Sequence, residues 1–200
     1  LLRPVDGFRS PPHIHNVSYR AVVIRGLIHN DAPEAKDRWM AQGAYWTQAK
    51  GAVHITAAQG PETLAYIEID EGPYLVWPVD RAFEADQKSR NIDAKDIAWT
   101  STKKDVEVAA LWGDSTNGGI HGSFFRIPPG FQGTLQNIGS SFRGVLVAGA
   151  FNLGEISLKP GAYFDAFEPT AQRISCEGKE ACIVYTRTKG AFDVNPGSAN

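Results

Sequence analysis

The chain has 200 residues, 42% of them hydrophobic, and its 20 basic and 22 acidic side chains leave a formal net charge of -2. That size and apolar content suffice for one large core or two small ones. With basic clusters no longer than Lys103-Lys104, a nucleic-acid partner has little electrostatic support, and no run approaches the roughly 20 apolar residues that span a bilayer.

In chain order, short alternating or β-branched runs fall at 19–24, 64–69, 145–147 and 182–186, punctuated by 20 Gly and 12 Pro. This pattern predicts an all-β barrel or sandwich. The polar stretch 80–104 carries few strand signals and reads as a connection, giving a first domain at 1–79, a linker at 80–104 and a second domain at 105–200.

Self-comparison supports two related domains. Gly7-Phe8 aligns with Gly130-Phe131, and the same ungapped register carries Arg20 to Gly26 onto Arg143 to Gly149. A block shifted by five residues sets Gly43-Ala44-Tyr45-Trp46 on Gly161-Ala162-Tyr163-Phe164, and Gly72 to Val76 on Gly190 to Val194. Ordered blocks of this kind predict a duplicated barrel. Before Gly130 the second repeat has a strand-like lead, whereas only six residues precede Gly7. Either the chain is shortened at its N-terminus or the first barrel borrows strands, and exchange between subunits would make a homodimer. The chain begins with Leu, and a signal peptide can have been lost with upstream residues.

The first repeat holds Gly7, His13-Ile14-His15, Tyr19 and Gly26, followed by Gly43, Gly51 and His54. Residues two apart on a strand point to one face, so His13 and His15 can offer imidazoles to one ion, with His54 arriving from another strand. The alternative is three unrelated surface or packing histidines. Neutral imidazoles suit a divalent transition metal, Fe or Zn first and Ni, Co, Cu or Mn next, with open positions for water or substrate. His29 and His121 fall outside this spacing and read as ordinary surface or loop residues. Trp46 is expected on a strand face with Gln48, lining a substrate pocket. Gln48 either orients a bound water or substrate oxygen or satisfies a backbone group.

These landmarks resemble the two motifs of the cupin superfamily, with Tyr19 where the first motif has Glu, and Ala49 and Ala58 where the second has Pro and Asn. The resemblance implies two cupin barrels in tandem, each a double-stranded β-helix of jelly-roll type, the first lacking its N-terminal strands. It extends to uncharacterised two-cupin proteins related to the cupin domain of zinc-binding anti-sigma factors. It implies a three-His metal site closer to the three-His cupin dioxygenases than to the oxalate-degrading cupins. A phenol with a reference pKa near 10 makes Tyr19 a hydrogen-bonding group rather than an anionic ligand. In the second repeat Gln136, Ile138, Phe142 and Gln172 stand at the positions of His13, His15, Tyr19 and His54, which predicts a metal-free barrel.

Two functions follow as expectations. One is a non-haem metal oxygenase acting on a small organic substrate, with Gln48 and Tyr19 in catalytic roles; the other is a non-catalytic metal-dependent binding or sensing module. Cys176 and Cys182 bracket an expected hairpin loop and either form a disulfide or remain reduced. The compartment stays open between cytoplasmic and periplasmic or secreted.

Overall fold

The computed structural model describes residues 1–102 and 105–197, so Lys103 and Lys104 lie outside the described residues. The described residues are all-β, with two short 3-10 turns and no α-helix, and no helix is long and apolar enough to cross a membrane. The chain divides into two compact units, Leu1–Ile97 and Ala98–Asn200.

In the first unit β1 (Ile14–His15), β2 (Tyr19–Asp31), β3 (Tyr45–Gln48), β4 (Ile55–Ile69), β5 (Val76–Trp77) and β6 (Arg90–Ile92) form a four-stranded sheet, ordered β4-β2-β3-β6, and a separate β1-β5 pair. The long strands β2 and β4 pair antiparallel along their length, with register shifts on both sides of Arg25. Gly26 sits at this irregularity with a φ of +73°, and an added Cβ would lie 2.9 Å from the Thr63 Cα. Only glycine accepts both the left-handed backbone and that close approach. Gly149, its repeat counterpart, has a φ of +88° and the same closeness to Cys182.

The second unit comprises β7 (Thr100–Ser101), β8 (Glu107–Trp112), β9 (Ile120–Ile127), β10 (Gln132–Asn137), β11 (Ser141–Ala148), β12 (Ala150–Leu153), β13 (Ile156–Leu158), β14 (Tyr163–Ala166), β15 (Thr170–Glu177), β16 (Cys182–Lys189) and β17 (Phe192–Pro196). Its two sheets run β13-β12-β15-β10-β17 and β14-β11-β16-β9-β8-β7. The repeat is visible in the pairings: β11 with β16 and β12 with β15 reproduce the two halves of the β2-β4 ladder.

The stretch 80–104, expected as a connection, instead gives strands to both units. Residues 90–92 pair with β3 and residues 100–101 with β8, because backbone pairing recruits short polar segments that carry no apolar alternation.

The two interiors differ in chemistry. The first packs Tyr19, Ala21, Val23, Ile28, Met40 and Trp46, whereas the second is rich in phenylalanine. There Phe142 meets Phe192 edge-on at 5.4 Å and Phe151 stacks on Phe164 at 5.9 Å. Each fully buried side chain of this size contributes about 2 kcal/mol.

Cys176 and Cys182 form a disulfide across the β15-β16 turn, with Cα atoms 5.8 Å apart.

Candidate metal centre

The backbone at residues 9–13 sets the site. Arg9 bridges Ala57 and His13 bridges His54, so four steps on one strand oppose three on the other. The extra residue is a bulge at Ser10-Pro11-Pro12, where the prolines have no N–H to offer a ladder. Beyond it, His13 and His54 exchange both backbone hydrogen bonds at 3.0 Å, and their imidazole centroids stand 4.4 Å apart. His15, two residues on, faces the same space, 5.0 Å from His54 and 4.9 Å from His13.

All three imidazoles are held the same way. Nδ1 of His13 donates to the Pro11 carbonyl at 2.8 Å, that of His15 to Leu75 at 3.3 Å and that of His54 to Ala52 at 3.2 Å. Carbonyls accept only, so each pairing assigns the proton to Nδ1 and leaves Nε2 with its lone pair. The ligand nitrogens lie within 4.8 Å of one another, and His54 Nε2 is buried without a hydrogen-bond partner. Imidazoles pinned at one nitrogen and convergent at the other match the way proteins orient metal ligands. A buried orphan acceptor is costly unless a cation or donor completes it. The donor set therefore fits a transition metal.

Burial favours the neutral rings. His15 is lowered to about 4 by burial and by nearby His13, against the opposing bond to Leu75. His54 is lowered to about 3, chiefly by burial. Tyr19 is pushed up to about 12 by burial and remains a neutral phenol.

Beside the imidazoles lies a cavity of about 300 Å³, bounded by Phe8, Tyr19, Trp46, Ile67, Tyr74 and Val76, with His13 and His15 also on its wall. Trp46 is thus placed where a pocket residue is expected. Tyr19 is placed there too, its hydroxyl donating to Asn30 Oδ1 at 3.0 Å.

Gln48 is not on this wall. Its Oε1 accepts from Asn30 Nδ2 at 2.9 Å, and its Nε2 donates to Ala52 at 3.1 Å and Ala49 at 3.3 Å. These contacts match the backbone-satisfying alternative rather than direct handling of a substrate oxygen. Gln48 still reaches the site at one remove, because the Ala52 carbonyl it binds also accepts from His54, and Asn30 accepts from both Tyr19 and Thr56.

Tyr74 is a site residue that sequence reasoning misses. Its ring stacks on His15 at 4.4 Å, and its hydroxyl donates to His15 Nε2 at 2.9 Å. The sequence shows only that the Gly72 to Val76 block recurs in the repeat with Phe192 in place of Tyr74, a difference that does not by itself place Tyr74 against His15.

Three other expectations need correction. His29 and His121, read as surface or loop residues, are 0% and 6% exposed and lie within β2 and β9. Each takes an inward position in its strand, which isolated histidines do not reveal in sequence. In the second unit the counterparts of His13 and His15 are Leu135 and Asn137, not Gln136 and Ile138. Leu135 pairs with Gln172 in an unshifted ladder and is buried with Asn137, whereas Ile138 is 52% exposed. The ungapped alignment misses the bulge that only the first repeat carries.

Solved structures with this fold include salicylate 1,2-dioxygenase from Pseudoaminobacter salicylatoxidans in adducts with gentisate. It is 11% identical with a TM-score of 0.64, covering 96% of this chain and 70% of that one. A putative dioxygenase from Nostoc punctiforme is 14% identical with a TM-score of 0.59, covering 99% and 72%. A mutant of Bacillus subtilis oxalate decarboxylase is 12% identical with a TM-score of 0.58, covering 96% and 69%. At these identities the likeness establishes the cupin fold. No curated protein matches the chain. The family model described as Domain of unknown function (DUF4437) matches residues 1–195, and the chain belongs to that family.

Proposed function

We propose that the first barrel is a metal centre in which His13, His15 and His54 hold a divalent transition metal, iron first, and that the protein acts as an oxygenase on a small carboxylate-bearing compound. The observation that carries this reading is the common pinning of three Nδ1–H groups on backbone carbonyls, with the three ligand nitrogens within 4.8 Å of one another beside an apolar cavity. When bound, such a metal supplies Lewis acidity and open coordination positions.

The chain's own residues then bind and orient. Three neutral imidazoles leave the ion's charge uncompensated, and the neutral Tyr19 phenol does not reduce it, so an anionic substrate is favoured. The salicylate 1,2-dioxygenase structures contain gentisate, an anion of that kind. Trp46, Phe8 and Ile67 exclude water and pack a ring, and Tyr74 presents a hydroxyl at the cavity wall. Gln48 is a positioning residue that acts through Asn30 and the Ala52 carbonyl.

The test is metal content after purification without added metal, combined with oxygen consumption against gentisate, salicylate, β-diketones, thiols and phenols. Iron with turnover of a carboxylate compound supports the reading. Zinc without turnover supports the alternative, a binding or sensing module, toward which the resemblance to zinc-binding anti-sigma factors leans. His54→Ala should reduce metal to background; unchanged content would overturn the ligand assignment.

A further inference from the structure

The second unit has a cavity of about 410 Å³ that the metal-centre reading does not use. It lies between β8 and β9 of one sheet and β17 of the other, walled by Val106, Val108, Phe192 and Val194. That volume suits a one-ring molecule.

Its polar end is built from β9, with Thr186 and Thr188 of the paired strand β16 beside it. His121 and Ser123 line the cavity and are more than nine-tenths buried. His121 Nδ1 donates to the Gly119 carbonyl at 3.2 Å, which leaves Nε2 as an acceptor. The Thr186 hydroxyl donates to the Ser123 carbonyl at 3.2 Å, so the Ser123 hydroxyl donates to Thr186 Oγ1 at 2.8 Å and keeps its own lone pairs. Thr188, the cross-strand partner of His121, has a fully buried hydroxyl with no hydrogen-bond partner. The loop after β8 closes tightly here: Gly113, with a φ of +75°, would place a Cβ 2.7 Å from the His121 Cα. Among the described lining residues no Lys or Arg occurs, and Asp193 is the one carboxylate.

A largely apolar chamber that offers the His121 Nε2 and Ser123 Oγ lone pairs, sets the Asp193 carboxylate on its wall and has no Lys or Arg among its described lining residues favours a ligand that donates hydrogen bonds over an anion. We propose that the second barrel holds its own small-molecule site, which takes a compact, non-anionic ring compound bearing a hydroxyl or amino donor directed at His121 and Ser123. This site is independent of the metal centre and opposite to it in charge preference.

Calorimetric titration of the metal-free His54→Ala variant with phenol, benzylamine, benzoate and toluene tests the proposal. Phenol and benzylamine should bind at least about tenfold more tightly than benzoate or toluene, the value of one well-made hydrogen bond to a buried acceptor. Ala110→Trp, at an exposed position on the rim, should abolish binding without disturbing the core, and His121→Leu should weaken phenol while sparing toluene. Equal binding of benzoate, absence of binding by any of the four, or binding undiminished by Ala110→Trp would overturn the assignment.

Discussion

At the scale of single residues, burial holds the His15 and His54 imidazoles neutral. For His15 and His54 the folded-state pKa values of about 4 and 3 lie below the ordinary imidazole value of 6.5. Between those limits the unfolded chain binds more protons than the folded one, so stability rises with pH. The metal-free protein should therefore keep its full stability above pH 6.5 and lose it progressively toward pH 4. Urea midpoints measured from pH 4 to 8 check this, and His54→Gln should flatten the slope. Tyr74 gives a second prediction. Its hydroxyl occupies the His15 Nε2 lone pair, so Tyr74→Phe frees that nitrogen and should tighten metal binding several-fold, for a bond worth about 1 kcal/mol. Competition with a chelator measures it. The His-x-His pair is legible in sequence because strand side chains alternate with a period of two. Tyr74 is not, since it reaches His15 across 59 positions of chain.

At the scale of elements, the bulge before His13 and the β15-β16 turn each do a distinct job. The bulge sets His13 opposite His54; an unbroken ladder continued from Arg9 and Ala57 would set it opposite Val53 instead. The turn is closed by the disulfide, whose six-residue separation implies that replacing Cys176 and Cys182 together by Ser costs about 2 kcal/mol. Thermal unfolding of that variant beside the parent protein checks the figure, and a thiol assay under denaturing, non-reducing conditions should find no free cysteine. Spacing alone leaves the bridge undecided, because it needs the two strands to pair in register. The bulge is equally hidden, since two adjacent prolines read as a loop until their neighbours are seen to pair.

At the scale of the whole molecule, a homodimer remains a proposal. Sedimentation should then give twice the 21.8 kDa chain mass, and a monomer would reject it. The all-β architecture, the duplicated barrel and the choice of His13, His15 and His54 as candidate ligands follow from sequence alone. Periodicity, glycine landmarks and motif spacing are local properties that a linear chain displays. Only the tertiary structure decided that Gln48 bonds Asn30 and the Ala52 carbonyl, that Tyr74 caps His15, that residues 90–92 and 100–101 pair in different units, and that His121 lines a cavity of its own. Each depends on pairing between distant strands, and a one-residue change of register moves a side chain to the opposite face.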